Sequence, residues 1–168
     1  MGNQKEIRSF REEYWFLSNF YPCVVIHDGL EYRNLEAAFQ ASKCVGLLER
    51  IRFGALDPAE AKKLGRTVAI RNDWENVKLF ILKELIRIKF ISNPSLLGAL
   101  MATGDAYLSE DNTWHDNFYG NCTCARCRET LGLNHLGNTL MTLRENARHF
   151  INCANGGLFS NGHETREP

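Results

Sequence analysis

Residues 73–91 read DWENVKLFILKELIRIKFI, and this stretch carries the longest helical pattern in the 168-residue chain. Its apolar residues recur with the 3.6-residue period of one helical face, at Val77, Phe80, Ile81, Leu85 and Ile88. Asn72 and Glu75 have the spacing of a capping box, and Asn93-Pro94 ends the pattern. The stretch therefore predicts a long helix that supplies much of the core.

A hairpin and several shorter helices are predicted around this helix. Cys23–Tyr32 reads as a β-hairpin, because Asp28-Gly29 suits a two-residue type I′ turn. Asp57 and Glu60 have the spacing of a second capping box. Helical patterns cover residues 34–46, 57–65, 94–104 and 134–150.

These elements predict an α+β fold in one compact domain, mostly helical with a small antiparallel sheet. We expect the domain to span residues 8–152. Residues 153–168 are polar and rich in glycine and asparagine, which predicts a flexible C-terminal tail.

The composition indicates a soluble globular protein, with 44% hydrophobic and 24% charged residues. Twenty basic and twenty acidic side chains cancel, which argues against non-specific binding to DNA, since that binding depends on many contacts from Lys and Arg to phosphate. A nucleic acid would then be a partner only as a modified substrate. The polar N-terminus and the absence of a long apolar run predict no membrane contact. We expect a reducing cytoplasm, in which the six cysteines stay unpaired, and the number of subunits is left open.

Glu36, Gln40 and Lys43 share one face of the first short helix, because they are spaced i, i+4 and i+7. On spacing alone, the favoured interpretation is a solvated polar stripe. The alternative is a carboxylate held on a rigid helix beside a cation that binds phosphate or shifts its pKa.

Arg71, Trp74 and Lys78 surround the predicted start of the long helix. Asn72 or Asp73 would cap that helix, and Trp74 would anchor its first turn in the core. A helix N-terminus with cations nearby also suits an anion, and an indole can stack on a base.

Asn19 and Phe20 belong to the aromatic segment FLSNFYPC, residues 16–23. The segment reads either as core followed by a turn or as an apolar groove whose amide contacts a heterocycle.

The segment SEDNTWHDNFYG, residues 109–120, combines Glu110, Trp114, His115 and Asp116. Its turn-forming residues predict an exposed loop, in which acidic side chains are usually only solvated. The density of carboxylates, indole and imidazole favours a functional loop instead.

Cys122, Cys124 and Cys127 form a C-x-C-x-x-C motif. A structural zinc site usually has four nitrogen or sulfur ligands, so these thiols predict part of one. The candidate fourth ligands are His115, His135, Cys23, Cys44 and Cys153. The alternatives are free thiols or a redox pair, although the strand-to-helix setting of a redox motif is missing.

Taken in order, several of these motifs resemble the NADAR or YbiA-like family. The resemblance covers Tyr14 to Arg148 and rests on FLSNFYPC, GLEYRNLEAAFQASK, IRNDWENVKLFIL, LLGALMATGDAYLSED, TWHDNFYGN and GLNHLGNTLMTLRE. It implies a compact α+β domain with N-glycosidase activity on a base or amine joined to a phosphorylated ribose. The substrates it suggests are ribosylamino-uracil phosphate intermediates of riboflavin synthesis and ADP-ribosyl-guanine in DNA.

The resemblance also assigns roles to particular residues. Glu36 matches the acidic residue of the family's Y…EHxFQAxK motif, with Ala37 in place of a frequent histidine. Trp114 and Asp116 match a W-x-D motif, in which His115 replaces a frequent glycine. By this reading Glu36 and Asp116 are catalytic, and no metal or other cofactor is needed for catalysis. The expected substrate-binding residues are Trp114, Asn19, Phe20, Lys43, Arg71, Trp74, Lys78 and Glu110.

An oxocarbenium-like transition state would explain the paired carboxylates, by analogy with O-glycosidases. The sequence therefore predicts an N-glycosidase acting on a phosphorylated ribosyl or ADP-ribosyl substrate. Two alternatives stay open: a non-catalytic module that binds ADP-ribose or a nucleotide, and an interaction domain stabilised by zinc.

Overall fold

The structure is a computed structural model that describes residues 5–156. Its helices are α1 (Leu35–Ala41), α2 (Leu47–Ile51), α3 (Pro58–Leu64), α4 (Trp74–Ile91), α5 (Pro94–Ala102) and α6 (His135–Gly156). Its strands are β1 (Glu6–Ile7), β2 (Pro22–His27), β3 (Leu30–Asn34), β4 (Tyr107–Leu108), β5 (Asp111–Asn112) and β6 (Asn121–Cys122), and a 3-10 helix covers Glu12–Leu17.

The β2–β3 hairpin is antiparallel, as predicted, and turns at Asp28 and Gly29. These residues have φ angles of +49° and +77°, and a type I′ turn requires positive φ at both positions. The hairpin packs against α1 and α4 and so fixes where α1 begins.

Helix α4 lies at the centre of the core, as its sequence pattern predicts. The side chains that it buries are Trp74, Ile81, Leu82, Leu85, Ile86, Lys89 and Phe90. The prediction was wrong for Phe80, which is 71% exposed. The helix contacts α1 and β2 as well as α5 and α6, so its buried face is wider than one apolar stripe and is turned away from Phe80.

The start of α4 also differs from the prediction. No side chain caps the helix, and the N-cap residue is Asp73. The Asp73 carboxylate pairs with Arg71 at 2.5 Å, so the predicted capping box of Asn72 and Glu75 is wrong.

Helices α1 and α3 begin with the expected caps. The Asn34 side chain accepts a hydrogen bond from the Ala37 N–H at 2.8 Å. Asp57 and Glu60 form the reciprocal bonds of a capping box, at 2.8 and 3.2 Å. These caps fix the two helices that carry Glu36 and Lys62.

Two short parallel strand pairs, β1–β4 and β5–β6, accompany the hairpin within the described part of the chain. Two-residue strands have no measurable periodicity, so they cannot be predicted from the sequence pattern. Both pairs border the segment that contains Glu110 and Asp116.

Helix α6 continues to Gly156, so it includes the first four residues of the segment predicted as a tail, and residues 157–168 lie outside the described residues. Likewise β1 precedes the predicted start of the domain at residue 8. Among residues 5–156, no helix has the length and apolar character needed to cross a bilayer.

Candidate active site and metal centre

Glu36 is held in the interior at the first turn of α1. Its backbone N–H donates to the carbonyl of Asn19 at 3.1 Å, which joins the helix to the loop after the 3-10 helix. Glu36 is 5% exposed and Gln40 is 6% exposed. The solvated stripe favoured by spacing alone is therefore wrong for both residues.

The Glu36 carboxylate has a defined electrostatic setting. Burial raises its pKa, because a charge is costly away from water. The Gln40 amide, which donates to Glu36 Oε1 at 2.8 Å, lowers that pKa, as do the charges of Lys62 and Lys43. Asp116 raises it further. The pKa of Glu36 is raised overall, and two lysines and a second carboxylate act on it.

Glu110 is a third carboxylate of this cluster and lies between β4 and β5. Burial raises the pKa of Glu110 to about 7, and the charges of Asp116 and Glu36 add to that effect while Lys62 opposes it. Three acidic side chains therefore lie near one another, and Lys62 of α3 acts on Glu36 and Glu110. Carboxylates whose pKa values are raised by burial and by neighbouring negative charge are common in active sites.

Asp116 is held by the backbone of its own loop. Its Oδ1 accepts hydrogen bonds from the N–H groups of Phe118 and Tyr119, at 3.1 and 2.8 Å. The buried Asn112 side chain accepts from the N–H groups of Trp114 and Asp116, both at 3.2 Å, and donates to the Asp116 carbonyl at 2.7 Å. Asn112 thus organises the loop that carries both W-x-D residues.

Aromatic rings line the region between α1, α4 and this loop. Phe39 contacts Trp74 and Tyr119 with ring centroids 5.2 and 5.6 Å apart. Trp74 is only 7% exposed, whereas Trp114 is 51% exposed. Of these two indoles, Trp114 has the face that a base can reach.

Of the three predicted cationic residues, Lys43 interacts with Glu36, whereas Arg71 and Lys78 each pair with a different carboxylate. Lys43 lies beside Glu36, donates to the Gly65 carbonyl at 3.3 Å, and has a pKa lowered mainly by burial. Arg71 pairs with Asp73 and lines a surface pocket with Asp28 and Arg50. Lys78 pairs with Glu75 and lies 4.4 Å from the centroid of the Phe118 ring.

Asn19 and Phe20 lie at the border of the carboxylate cluster. Asn19 Oδ1 is buried and has no hydrogen-bond partner among the described residues, and the same is true of Gln40 Oε1. Phe20 lies beneath Lys62 Nζ, which is 5.7 Å from the ring centroid, and lines a surface pocket of about 390 Å³ with Arg33. Two unpartnered amide oxygens on residues next to Glu36 favour a ligand rich in hydrogen-bond donors.

Sequence reasoning missed the roles of Gln40, Lys62 and Asn112. The sequence feature that could have indicated Lys62 is its place between Ala61 and Gly65. These two small residues are buried and let α3 approach α1 closely. For Asn112 the signal was weak, since an asparagine among turn residues is common in any loop.

The three thiols of the C-x-C-x-x-C motif meet His115. The Sγ atoms of Cys122, Cys124 and Cys127 and a ring nitrogen of His115 all lie within 4.8 Å of one another. All six cysteines of the chain are free thiols. The structure therefore forms a group of three cysteines and one histidine that is suited to a metal ion, in which His115 is the candidate fourth ligand.

A carboxylate cluster with a buried Glu36 and half-buried Glu110 and Asp116, together with basic and aromatic side chains in a small α+β domain, defines a candidate glycosidase. The profile of the NADAR domain matches residues 6–148, and the chain belongs to the NADAR family.

Similar proteins agree with this assignment. An N-glycosidase of Nostoc punctiforme is 35% identical over 83% of this chain and 90% of its own length. N-glycosidase YbiA of Escherichia coli is 33% identical over 82% of this chain and 84% of its own length. The match to a chloroplastic riboflavin biosynthesis protein, PYRR of Arabidopsis thaliana, is 33% identical over 78% of this chain but only 22% of that protein.

The fold has a counterpart of known structure. The NMR structure of E. coli YbiA superimposes with a TM-score of 0.70 at 28% identity, covering 98% of this chain and 94% of that one. The comparisons confirm the family, the fold and the expected enzyme class, a hydrolase of N-glycosyl bonds.

Proposed function

We propose that this protein hydrolyses the C–N bond between a base or amine and C1 of a phosphorylated ribose, either ribosylamino-uracil phosphate or ADP-ribose on guanine. The observation that carries the proposal is that the carboxylates of Glu36, Glu110 and Asp116 lie close enough to interact electrostatically, with Lys62 beside Glu36 and Glu110. Breaking such a bond produces positive charge at C1 and negative charge on the departing nitrogen. An ionised carboxylate can meet the first need, and a carboxyl group that carries a proton can meet the second.

Glu36 is the residue proposed to face the anomeric carbon. In its ionised form it stabilises the positive charge at C1 and accepts a proton from the attacking water, whose oxygen bonds to C1. Burial raises the pKa of Glu36, and the hydrogen bond from Gln40 and the charges of Lys43 and Lys62 oppose that shift and favour the ionised form.

Glu110 and Asp116 have complementary tasks in this proposal. With a pKa of about 7, Glu110 holds a proton over much of the neutral range and can give it to the departing nitrogen as the C–N bond breaks. Asp116 Oδ1 is engaged by two backbone N–H groups, which leaves Oδ2 to accept hydrogen bonds from ribose hydroxyls.

The remaining residues would hold the two ends of the substrate. Trp114 presents an exposed indole face on which a base can stack, a contact worth about 1–3 kcal/mol. Lys43 and Lys62 are the cations nearest the carboxylates and suit a ribose phosphate. Arg71 and Lys78, which pair with neighbouring carboxylates, would contribute less.

A structural zinc ion in the group of three cysteines and His115 is part of the proposal, because that donor set matches the preference of zinc for sulfur and nitrogen. Free thiols at all six cysteines support a reducing compartment, and we propose the cytoplasm.

Product release tests the function directly. The purified protein is incubated separately with ribosylamino-uracil phosphate and with ADP-ribosylated single-stranded DNA, and the products are separated by chromatography. We expect ribose phosphate or ADP-ribose to be released, with a loss of at least 100-fold in Glu36→Gln and a smaller loss in Asp116→Asn. Binding of ADP-ribose without release from either substrate would instead identify a non-catalytic binding module.

A further inference from the structure

The cysteine-and-histidine group has nearly the ligand spacing of a tetrahedral metal site. His115 Nδ1 lies 3.1 Å from Cys124 Sγ and 3.5 Å from Cys127 Sγ. With zinc bonds of about 2.3 Å to sulfur and 2.0 Å to nitrogen, nitrogen and sulfur ligands of a tetrahedron lie about 3.5 Å apart. Metal binding therefore requires the sulfur and nitrogen ligand atoms to shift by a few tenths of an ångström to about one ångström.

The backbone of His115 is in a conformation that needs support. Its φ is +67°, in the left-handed region that most residues with a side chain avoid. The imidazole is exposed, so burial in the core does not hold it there. Coordination of Nδ1 would hold this residue in its strained position.

His115 lies between Trp114 and Asp116 in the chain, so a ligand at this position acts on both. We propose that a metal ion bound by His115, Cys122, Cys124 and Cys127 fixes the loop that carries Trp114 and Asp116, and that its occupancy thereby controls the reaction rate. This inference rests on the proposed function of that loop. It makes His115 a positioning residue and gives the cysteine motif a role in catalysis through geometry.

The hydrogen bonds around the loop show why the metal would complete its support. The Thr123 N–H donates to the Asn112 carbonyl at 2.8 Å, and the Cys122 N–H donates to Asn117 Oδ1 at 2.7 Å. Both ends of the 112–117 loop are thus joined to the 121–123 segment. The exposed middle of the loop would be joined to the cysteine segment through His115.

The nature of the ion follows from its donors. Three thiolates and one imidazole favour Zn²⁺ over the oxygen-seeking Mg²⁺ or Ca²⁺. Arg126 Nη2 now lies 2.8 Å from His115 Nε2. When Nδ1 binds a metal, Nε2 of the neutral ring carries the hydrogen, so the exposed Arg126 must turn away. Its charge, and that of Arg128, then lies near a centre with one net negative charge.

The site is tested first without reference to activity. We expect one equivalent of zinc in protein purified under reducing conditions. Replacement by Co²⁺ should give the visible and thiolate charge-transfer bands of tetrahedral cobalt. His115→Gly removes the ligand, and glycine adopts a positive φ without strain. A weaker affinity for metal in this variant therefore reflects the lost ligand and not a strained backbone. We expect this variant to bind Co²⁺ at least tenfold more weakly, with shifted visible bands.

The coupling is tested by removing the metal. Activity is measured below the unfolding temperature of every form, with and without a chelator. We expect chelation to lower kcat at least tenfold in the wild type and to change the activity of His115→Gly little, since that variant already resembles the metal-free enzyme. Cys153→Ser is the control, because this exposed thiol lies outside the group.

The outcomes separate the ideas. Absence of both bound zinc and the cobalt bands would overturn the site. Normal kcat in a folded, metal-free wild type would overturn the coupling, even if the melting temperature falls. If no form releases product from either substrate, the proposed function fails, and the coupling is read from hydrogen exchange. Faster exchange of the amides at 113–119 after chelation would then support it, and unchanged exchange would overturn it.

Discussion

Replacing Gly65 by alanine should disturb the active site through Gln40. A Cβ at position 65 would lie 1.9 Å from Gln40 Oε1 and 2.7 Å from its Cδ, so the amide must move by more than about 1 Å to reach the closest distance that such atoms adopt. Gly65 has a φ of −62°, which alanine also adopts, so the effect comes from space and not from backbone strain.

The expected size follows from the bond that is broken. Gln40 Nε2 donates to Glu36 Oε1 at 2.8 Å, and a hydrogen bond to a charged group contributes about 1.5–3 kcal/mol. A displacement of about 1 Å in a catalytic group can cost roughly 100-fold in rate. We therefore expect kcat to fall about 100-fold. Overpacking should also cost about 1–3 kcal/mol of the free energy of unfolding, equivalent to roughly 5 °C in Tm.

Two further variants make the test specific. Gly98→Ala is the matched control, because a Cβ there meets no atom within 4 Å, and we expect wild-type activity with slightly higher stability. In a Gln40→Ala background the clash with the amide is removed and only a Cβ contact of 3.1 Å remains, so adding Gly65→Ala should change activity little. A full loss of activity caused by Gly65→Ala in that background, or wild-type activity in the single variant, would refute this reasoning.

Other predictions concern charge and loop support. Burial raises the pKa of Glu110 from 4.5 to about 7, so the folded protein keeps a proton that the unfolded chain releases, and stability should fall as pH rises from about 4.5 to about 7. Urea titrations at pH 5 and pH 8 should show that Glu110→Gln removes on the order of 2 kcal/mol of this change; an unaltered pH dependence would contradict it. Lys62→Met should raise KM about tenfold, because the ammonium group of Lys62 would contact the substrate phosphate. The same substitution of its exposed neighbour, Lys63→Met, should leave KM unchanged in steady-state kinetics. Asn112→Ala removes a buried amide that makes hydrogen bonds of 2.7 and 3.2 Å to the Asp116 backbone. It should lower the free energy of unfolding by about 2–4 kcal/mol and the activity at least tenfold. An unchanged Tm would count against a role of Asn112 in holding the loop.

The sequence predicted the features that depend on local chemistry. The type I′ turn and the caps at Asn34 and Asp57 were visible because a few adjacent residues determine them. The face of α4 was misjudged at Phe80, because four different elements surround that helix.

The site was predictable only where a resemblance supplied it. Spacing alone favoured a solvated Glu36, because a pattern along one helix does not reveal that α3 and the 109–120 segment cover it. The meeting of His115 with the cysteines likewise depends on a backbone turn with positive φ, and a histidine, unlike glycine, asparagine or aspartate, does not indicate such a turn in sequence. The assignments of Glu36, Asp116 and the substrate contacts stay predictions.

Strand β1 has a consequence for how the protein is made. Its residues Glu6 and Ile7 pair with Tyr107 and Leu108, about 100 positions later, and Ser109 donates to the Ile7 carbonyl at 2.9 Å. A ribosome adding about 5–20 residues per second needs about 5–20 s to complete that interval. The hairpin and α1 can form early, but β1 and the segment holding Glu110 can pair only after about two thirds of the chain has been made. The candidate site should therefore assemble only after that point, and a nascent chain stalled before residue 107 should hold Glu36 without its acidic neighbours.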